Sequence, residues 1–486
     1  MKQEIKYISL ILLLMLPILN SCKKETSCEN CRSLNGTNKP PTANAGLDQV
    51  ITLPTDSVLL DGRTSSDPDG IISEWLWTKI SGPASFNIIK STDSLTKVKA
   101  LVSGTYLFEL KVTDNNGLSA KDTMQVFVNA MMMTSSCDNR PIINATLVPI
   151  GTLSSARTKI MSASAGNKIL FIGGMHSGQN WWNEPVPVDI YDFSNNTWSL
   201  HLLVPDNPQL SHFRVGAAIA SVGNKILFAG GGDGFGDNQS SRVDIYDASS
   251  DTWTAESLSV ERQGLVAATI GDKVLFAGGF GYPDGNNWGE FNIVDIYNNS
   301  NDSWSIATLS QARMDIAATS AGNKVYFAGG RNGMNVSKTI DIYDAATNSW
   351  SVSSLQQPRT DMANIADNSK IFWAGGANNF NGAEWTSNNS VEILDLNTGV
   401  TSSVCIHPRF GFSAVKKNEQ IVFFTGYDGS DGVEFEIYDT VTGIWSTGKL
   451  NQKIQGAAII SVNNTIYVAG GIVDGVYSNQ VWKLEF

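Results

Sequence analysis

Short apolar runs separated by turn residues fill most of the chain beyond residue 41. Between 41 and 130 they fall at residues 50–53, 57–60, 71–80, 95–102, 105–113 and 123–128. Asp61-Gly62, Asp67-Pro68-Asp69-Gly70, Ser81-Gly82-Pro83, Ser103-Gly104 and Asn115-Asn116-Gly117 punctuate them. Tyr106, Phe108, Leu110 and Val112 alternate toward one side, as a half-buried strand requires. Strands at this spacing predict a small all-β sandwich. From residue 139 the pattern changes to repetition. A hydrophobic strand ends in Gly173-Gly174, Gly230-Gly231, Gly278-Gly279, Gly329-Gly330, Gly375-Gly376, the degenerate Gly426, and Gly470-Gly471. After each pair comes a loop of variable length, then Asp-Ile-Tyr at 189–191, 244–246, 295–297 and 341–343, or Glu436-Ile437-Tyr438. A polar turn then leads to Trp198, Trp253, Trp304, Trp350 or Trp445. The fifth copy departs, with Leu394 in place of the tyrosine and Val400-Thr401 near the expected tryptophan.

The glycine pair, the spaced Tyr and Trp, and an arginine opening most copies resemble the kelch repeat. That resemblance implies a β-propeller of four-stranded sheets, with Tyr and Trp stacking between neighbours. Seven copies predict seven blades. The last copy ends at Phe486 with no room for an outer strand, so residues 145–150 are expected to pair with 480–486. The earlier segment resembles a PKD-type immunoglobulin-like domain. Its matching pieces are Pro41–Gly46, Leu60-Asp61-Gly62, Ser66–Gly70, the Trp75/Trp77 strand, and Gly104-Thr105-Tyr106 leading to Val112-Thr113-Asp114. The resemblance implies a spacer or binding accessory. The expected organisation is 1–21 signal peptide, 22–40 tether, 41–130 sandwich, 131–138 linker and 139–486 propeller, all-β throughout.

Lys2 and Lys6 precede an apolar run from Tyr7 to Leu19, too short for a spanning helix of about 20 residues. Leu19-Asn20-Ser21-Cys22 closes it and resembles the lipobox of bacterial lipoproteins. The resemblance implies cleavage before Cys22, acylation of that residue, and an outer-membrane anchor facing the periplasm or the outside. Four further cysteines remain, Cys28, Cys31, Cys137 and Cys405, and three pairings are open. The net charge of −12 argues against nucleic acid, whose phosphates call for basic stripes.

Candidate chemistry lies in the connections. The loops after the glycine pairs are longest in copies one, three and five, and they carry Trp181, Trp182, Trp288 and Trp385. An exposed tryptophan offers a platform for a sugar ring or a partner side chain. Arg157, Arg214, Arg262, Arg313, Arg359 and Arg409 open successive copies, with Lys453 near the seventh. A ring of cations suits carboxylates or acidic sugars, while the kelch resemblance implies interblade hydrogen bonding for the same residues. Asp67, Asp69 and Asp114 are candidate calcium ligands or turn formers. His176 and His212 are a candidate transition-metal pair. The chain has no G-x-S-x-G element or P-loop. The expectation is a lipid-anchored envelope protein that binds a glycan or protein and needs no cofactor beyond calcium. The alternatives are a glycan-modifying oxidase or isomerase and a scaffold subunit.

Overall fold

The computed structural model describes residues 37–486 apart from 53–54, 103, 130–136, 138, 177–184, 204–213, 233–237, 284–286, 368, 381–384, 425 and 427–433. The described residues form strands and turns and no helix. Two compact units separate, one built from residues up to 127 and the other mainly from Val128–Phe486. The lipobox segment and Cys28 and Cys31 lie outside the described residues.

The smaller unit is a sandwich. One sheet orders Gln49–Thr52, Ser119–Asn129, Gly104–Asp114 and Ile72–Ser81; the other orders Val58–Asp61, Leu95–Lys99 and Asn87–Ile88. The alternation read in Gly104–Asp114 is realised, with Tyr106, Phe108, Leu110 and Val112 buried between the sheets beside Trp77 and Leu60. Gly62 lets the layers approach: a Cβ there would stand 2.6 Å from the Leu110 side chain.

In the larger unit, the first six sheets each take four consecutive long strands, and the described residues contain a seventh. In the second sheet, 218–222, 225–229, 242–247 and 252–257 pair antiparallel in order. First strands of successive sheets run side by side, and 458–462 of the last lies beside 161–165 of the first, so the ring closes. The expected closing pair is present: Thr146–Thr152 completes the seventh sheet against Gln480–Glu485. Two further fastenings accompany it. Ile142–Asn144 adds a parallel fifth strand to the sixth sheet, on Trp445–Lys449. Of the three open pairings, Cys137 is joined to Cys405, at the end of the fifth sheet's outer strand.

Tyr and Trp face each other across the third and fourth strands of one sheet, as with Tyr246 and Trp253 at 5.0 Å. Tyr246 also enters an apolar cluster that joins Ile226 and Phe228 of its own sheet to Leu170 and Val188 of the preceding one. The same residue type therefore pairs within a sheet and seals the joint to its neighbour.

Candidate functional site

The six arginines lie just ahead of the first strands of their sheets and turn inward. Each is at most 6% exposed. Arg262 donates through Nε to the Gly278 carbonyl at 2.9 Å and pairs with Asp295 at 2.7 Å. Arg157 pairs with Asp189, Arg214 with Asp244 and Arg313 with Asp341; Arg409 meets Glu436 at 3.0 Å and Arg359 meets Glu392 at 3.8 Å. The acids are those that open the Asp-Ile-Tyr element, or stand in its place. The same carboxylates hold the incoming connection, accepting from the backbone of Ser154, Ser259, Ser310, Gln356 and His407. This corrects the reading of Arg157, Arg214, Arg262, Arg313, Arg359 and Arg409 as ligand-binding cations. Their charge is neutralised within their own sheets, because an unpaired buried guanidinium is too costly to keep. The neighbouring blade is reached through backbone instead: Gly231, Gly279, Gly330, Gly376 and Gly471 donate to the carbonyls of Arg262, Arg313, Arg359, Arg409 and Arg157.

Two residues beyond each arginine the chain turns left-handed, at Lys159, Gly216, Gly264, Asp315, Asp361 and Gly411, and the seventh sheet does so at Gly456. Around this rim five of the seven amides reach the carbonyl before them: Gly264 to Gly216, Asp315 to Gly264, Asp361 to Asp315, Gly411 to Asp361 and Lys159 to Gly456, at 2.7–3.4 Å. Where neighbouring repeats place glycine, repeats four and five place carboxylates. Arg331 donates through Nε to Asp315 at 2.9 Å and lies 5.7 Å from the centre of the Trp385 ring. Arg331 also holds the Gly333 carbonyl, and the Gly333 amide donates to Glu290 of the adjoining loop at 2.8 Å.

Asp361 is exposed at its surface, with protein crowded around its carboxyl. Burial, then the charge of Asp315, push its carboxyl up to about 7, against the pull of Arg331 and Lys159. Burial likewise raises Asp315, partly offset by Arg331. Trp288 is 45% exposed and packs against Phe280 at 5.4 Å and Tyr282 at 4.9 Å. Trp385 is half-buried. This stretch of rim therefore offers two aromatic surfaces, one guanidinium and three carboxyls, a set suited to binding through stacking and hydrogen bonds. Asp315, Asp361, Arg331 and Glu290 were missed from sequence. The available signal was Arg313-Met314-Asp315 and Arg359-Thr360-Asp361 set against Arg214-Val215-Gly216 and Arg262-Gln263-Gly264.

Other candidates fall differently. Trp181, Trp182 and His212 lie outside the described residues, so the His176–His212 pair has no described geometry. Asp67, Asp69 and Asp114 do not assemble as a calcium site: among the described residues no three His, Cys, Asp or Glu side chains are grouped to hold a metal. They shape backbone instead. Asp114 accepts from the amides of Asn116 and Leu118, and Asp69 from Lys39. Burial opposes the Asp114 charge, but these amides and Asn38 hold its carboxyl below the usual range.

Residues 45–128 match a PKD domain family, and residues 214–257 and 312–354 match the Kelch motif. The chain carries a PKD-type domain and kelch repeats. It is similar to the mouse dyslexia-associated protein KIAA0319-like protein, 40% identical over 91 residues, which are 19% of this chain and 9% of that one. It is also 38% identical over 99 residues to human low-density lipoprotein receptor-related protein 11, covering 20% of each chain. The chain thus spans a fifth or less of these relatives' lengths. A solved structure titled "Structure of YjhT" aligns with 55% of this chain and 93% of its own, at 15% identity and a TM-score of 0.44. The PKD domain and the kelch repeats together suggest a binding or scaffold role.

Proposed function

We propose that this protein is exported, anchored to the bacterial outer membrane through lipid on Cys22, and binds a glycan or protein on the loop face of a seven-bladed kelch propeller. The observation that carries the reading is the rim between the third and fifth sheets. There Trp288 is left exposed, and Trp385 stacks on Arg331 beside Asp315 and Asp361. A large aromatic ring held in water by its neighbours loses hydrophobic stabilisation that ligand contact restores. The lipobox residues support the anchor, and the Cys137–Cys405 bond suits an oxidising compartment. The test is retention by the chain from Lys23 onward, on glycan arrays and in envelope-extract pull-downs. Trp288→Ala and Trp385→Ala should each weaken retention roughly tenfold or more, as interface anchors do. Unchanged retention in both would remove the reading.

A further inference from the structure

The ring has one seam. The seventh sheet is completed from both ends of the kelch region. If Thr146–Thr152 leaves Gln480–Glu485, that sheet loses its outer strand and closure falls to inner bonds such as Gly471 to Arg157 and Lys159 to Gly456. Any pull on the chain N-terminal to this strand acts on the strand's free end. A paired strand peeled from one end loses its hydrogen bonds one after another, whereas one pulled along its length shares the load among them.

The residues just upstream are fastened across two further sheets. The Ala145 amide donates to the Lys449 carbonyl at 2.8 Å, and Ile142–Asn144 lies parallel on the outer strand of the sixth sheet. The Thr447 amide donates to the Pro141 carbonyl at 2.9 Å. Arg140 stacks over Trp445 at 4.8 Å and donates to the Cys405 carbonyl at 2.5 Å. Cys137 is then bonded covalently to Cys405 on the fifth sheet. The order along the chain is decisive, because the covalent fastening comes first from the N-terminal side and the seam comes last.

We propose that residues 137–152 are a strap, locked by the Cys137–Cys405 disulfide, that diverts tension entering from the N-terminal chain into the fifth sheet. Force arriving at Cys137 passes through the two sulfurs to Cys405. Residues 138–152 stay slack, and the seam carries none of the force. A ligand held at the rim of the third to fifth sheets would then be linked to the N-terminal chain without passing through the sixth and seventh. This last point rests on the proposed binding site and membrane anchor; the strap itself does not.

The experiment is single-molecule pulling on the full chain, with one handle at the N-terminus and the other on a click-reactive residue replacing exposed Asn332. The Cys137→Ser/Cys405→Ser variant should show an early step, at most about 50 Å, equal to the strap's straightened length at roughly 3.5 Å per residue less the span it covers when paired. The disulfide-bonded chain should lack that step. Reducing the bonded chain while it is held, already folded, should bring the step in, which guards against misfolding of the double variant. An early step in the bonded chain, or none after reduction, would overturn the strap. Retention measured on the same serine variant should be unchanged, so loss of the binding reading leaves this result standing.

Discussion

Six sheets of the kelch region bury an arginine against an acid, and the seventh does not. The position four residues after Leu258 is Arg262; four residues after Leu450 it is Ile454. The acid's place is also taken: Trp482 faces Val468 in the register that sets Asp244 opposite Phe228. Ile454 and Trp482 are buried in one apolar cluster with Phe435, Leu450 and Val468. Lys453 is therefore one position away from the arginines' place in the repeat, on the partly exposed neighbouring site. Both members of the ion pair are absent together, as the physics requires. A buried pair and a packed apolar pair are of comparable worth, whereas half of an ion pair is a buried uncompensated charge. The exception falls on the sheet assembled from two distant pieces of chain. Apolar contact is non-directional and tolerates that assembly, while a guanidinium must meet its carboxylate in one geometry.

The comparison can be broken most forcefully by Ile454→Arg, which places a cation opposite Trp482 with no acid to meet it. Loss of several kcal/mol is expected, read as a large fall in thermal midpoint or failure to accumulate. A folded variant of unchanged stability would show that the seventh sheet has a hidden counter-charge. Next is Arg262→Met, which strands Asp295 and should cost about 3–5 kcal/mol in denaturant unfolding. Adding Asp295→Leu should recover most of that loss, since the double variant reproduces the seventh sheet's solution. If the double variant is no better than the single, the two kinds of pair are not equivalent. A smaller effect is expected for Gly278→Ala. Gly278 sits at φ +66°, and a Cβ there would stand 2.4 Å from the Arg313 carbonyl, so destabilisation beyond about 1 kcal/mol should follow. An equal cost for Gly271→Ala, where φ is +54° and the space is open, would assign the effect to backbone alone.

The smallest prediction separates the sixth sheet from the others. There His407 joins the arginine–acid pair, its Nδ1 lying 2.7 Å from Glu436. That hydrogen bond raises the His407 pKa above 6.5. Burial works against the Glu436 charge, but Arg409 and His407 hold its carboxyl below 4.5. The raised histidine contributes stability below its unfolded pKa, and this is lost as pH rises through the folded value. The depressed glutamate contributes above its unfolded pKa, and this is lost as pH falls through the folded value. Thermal unfolding should therefore be most resistant between about pH 4.5 and 6.5 as far as this pair is concerned. His407→Gln should flatten the alkaline side and weaken the acid side only in part, because Arg409 still holds Glu436; an unaltered profile would sink the assignment.

Much of this was legible along the chain because each repeat states the same physical requirement again. Glycine pairs recur where a backbone must run left-handed beside the next connection. Tyr and Trp recur where one sheet seals against another. The missing outer strand of the last repeat likewise announced its partner at 145–150. The arginines were equally visible, and their role was not. A regular spacing of cations looks the same whether the side chains face a ligand or a buried acid, and the acid lies some 30 residues downstream. Asp315 and Asp361 were hidden for the converse reason, since two aspartates beside turns are ordinary in loops.

By itself, then, the sequence determined the all-β class, the two kinds of unit, the repeat and the closing pair, because each depends on local periodicity or on counting. Only the tertiary structure decided which charges meet. It turned six arginines inward, replaced the seventh pair with Ile454 and Trp482, drew Arg331 onto Asp315 and Trp385, and chose Cys137–Cys405 among the open pairings. Burial and partnership arise between residues far apart in the chain, and those distances exist only once the ring has closed.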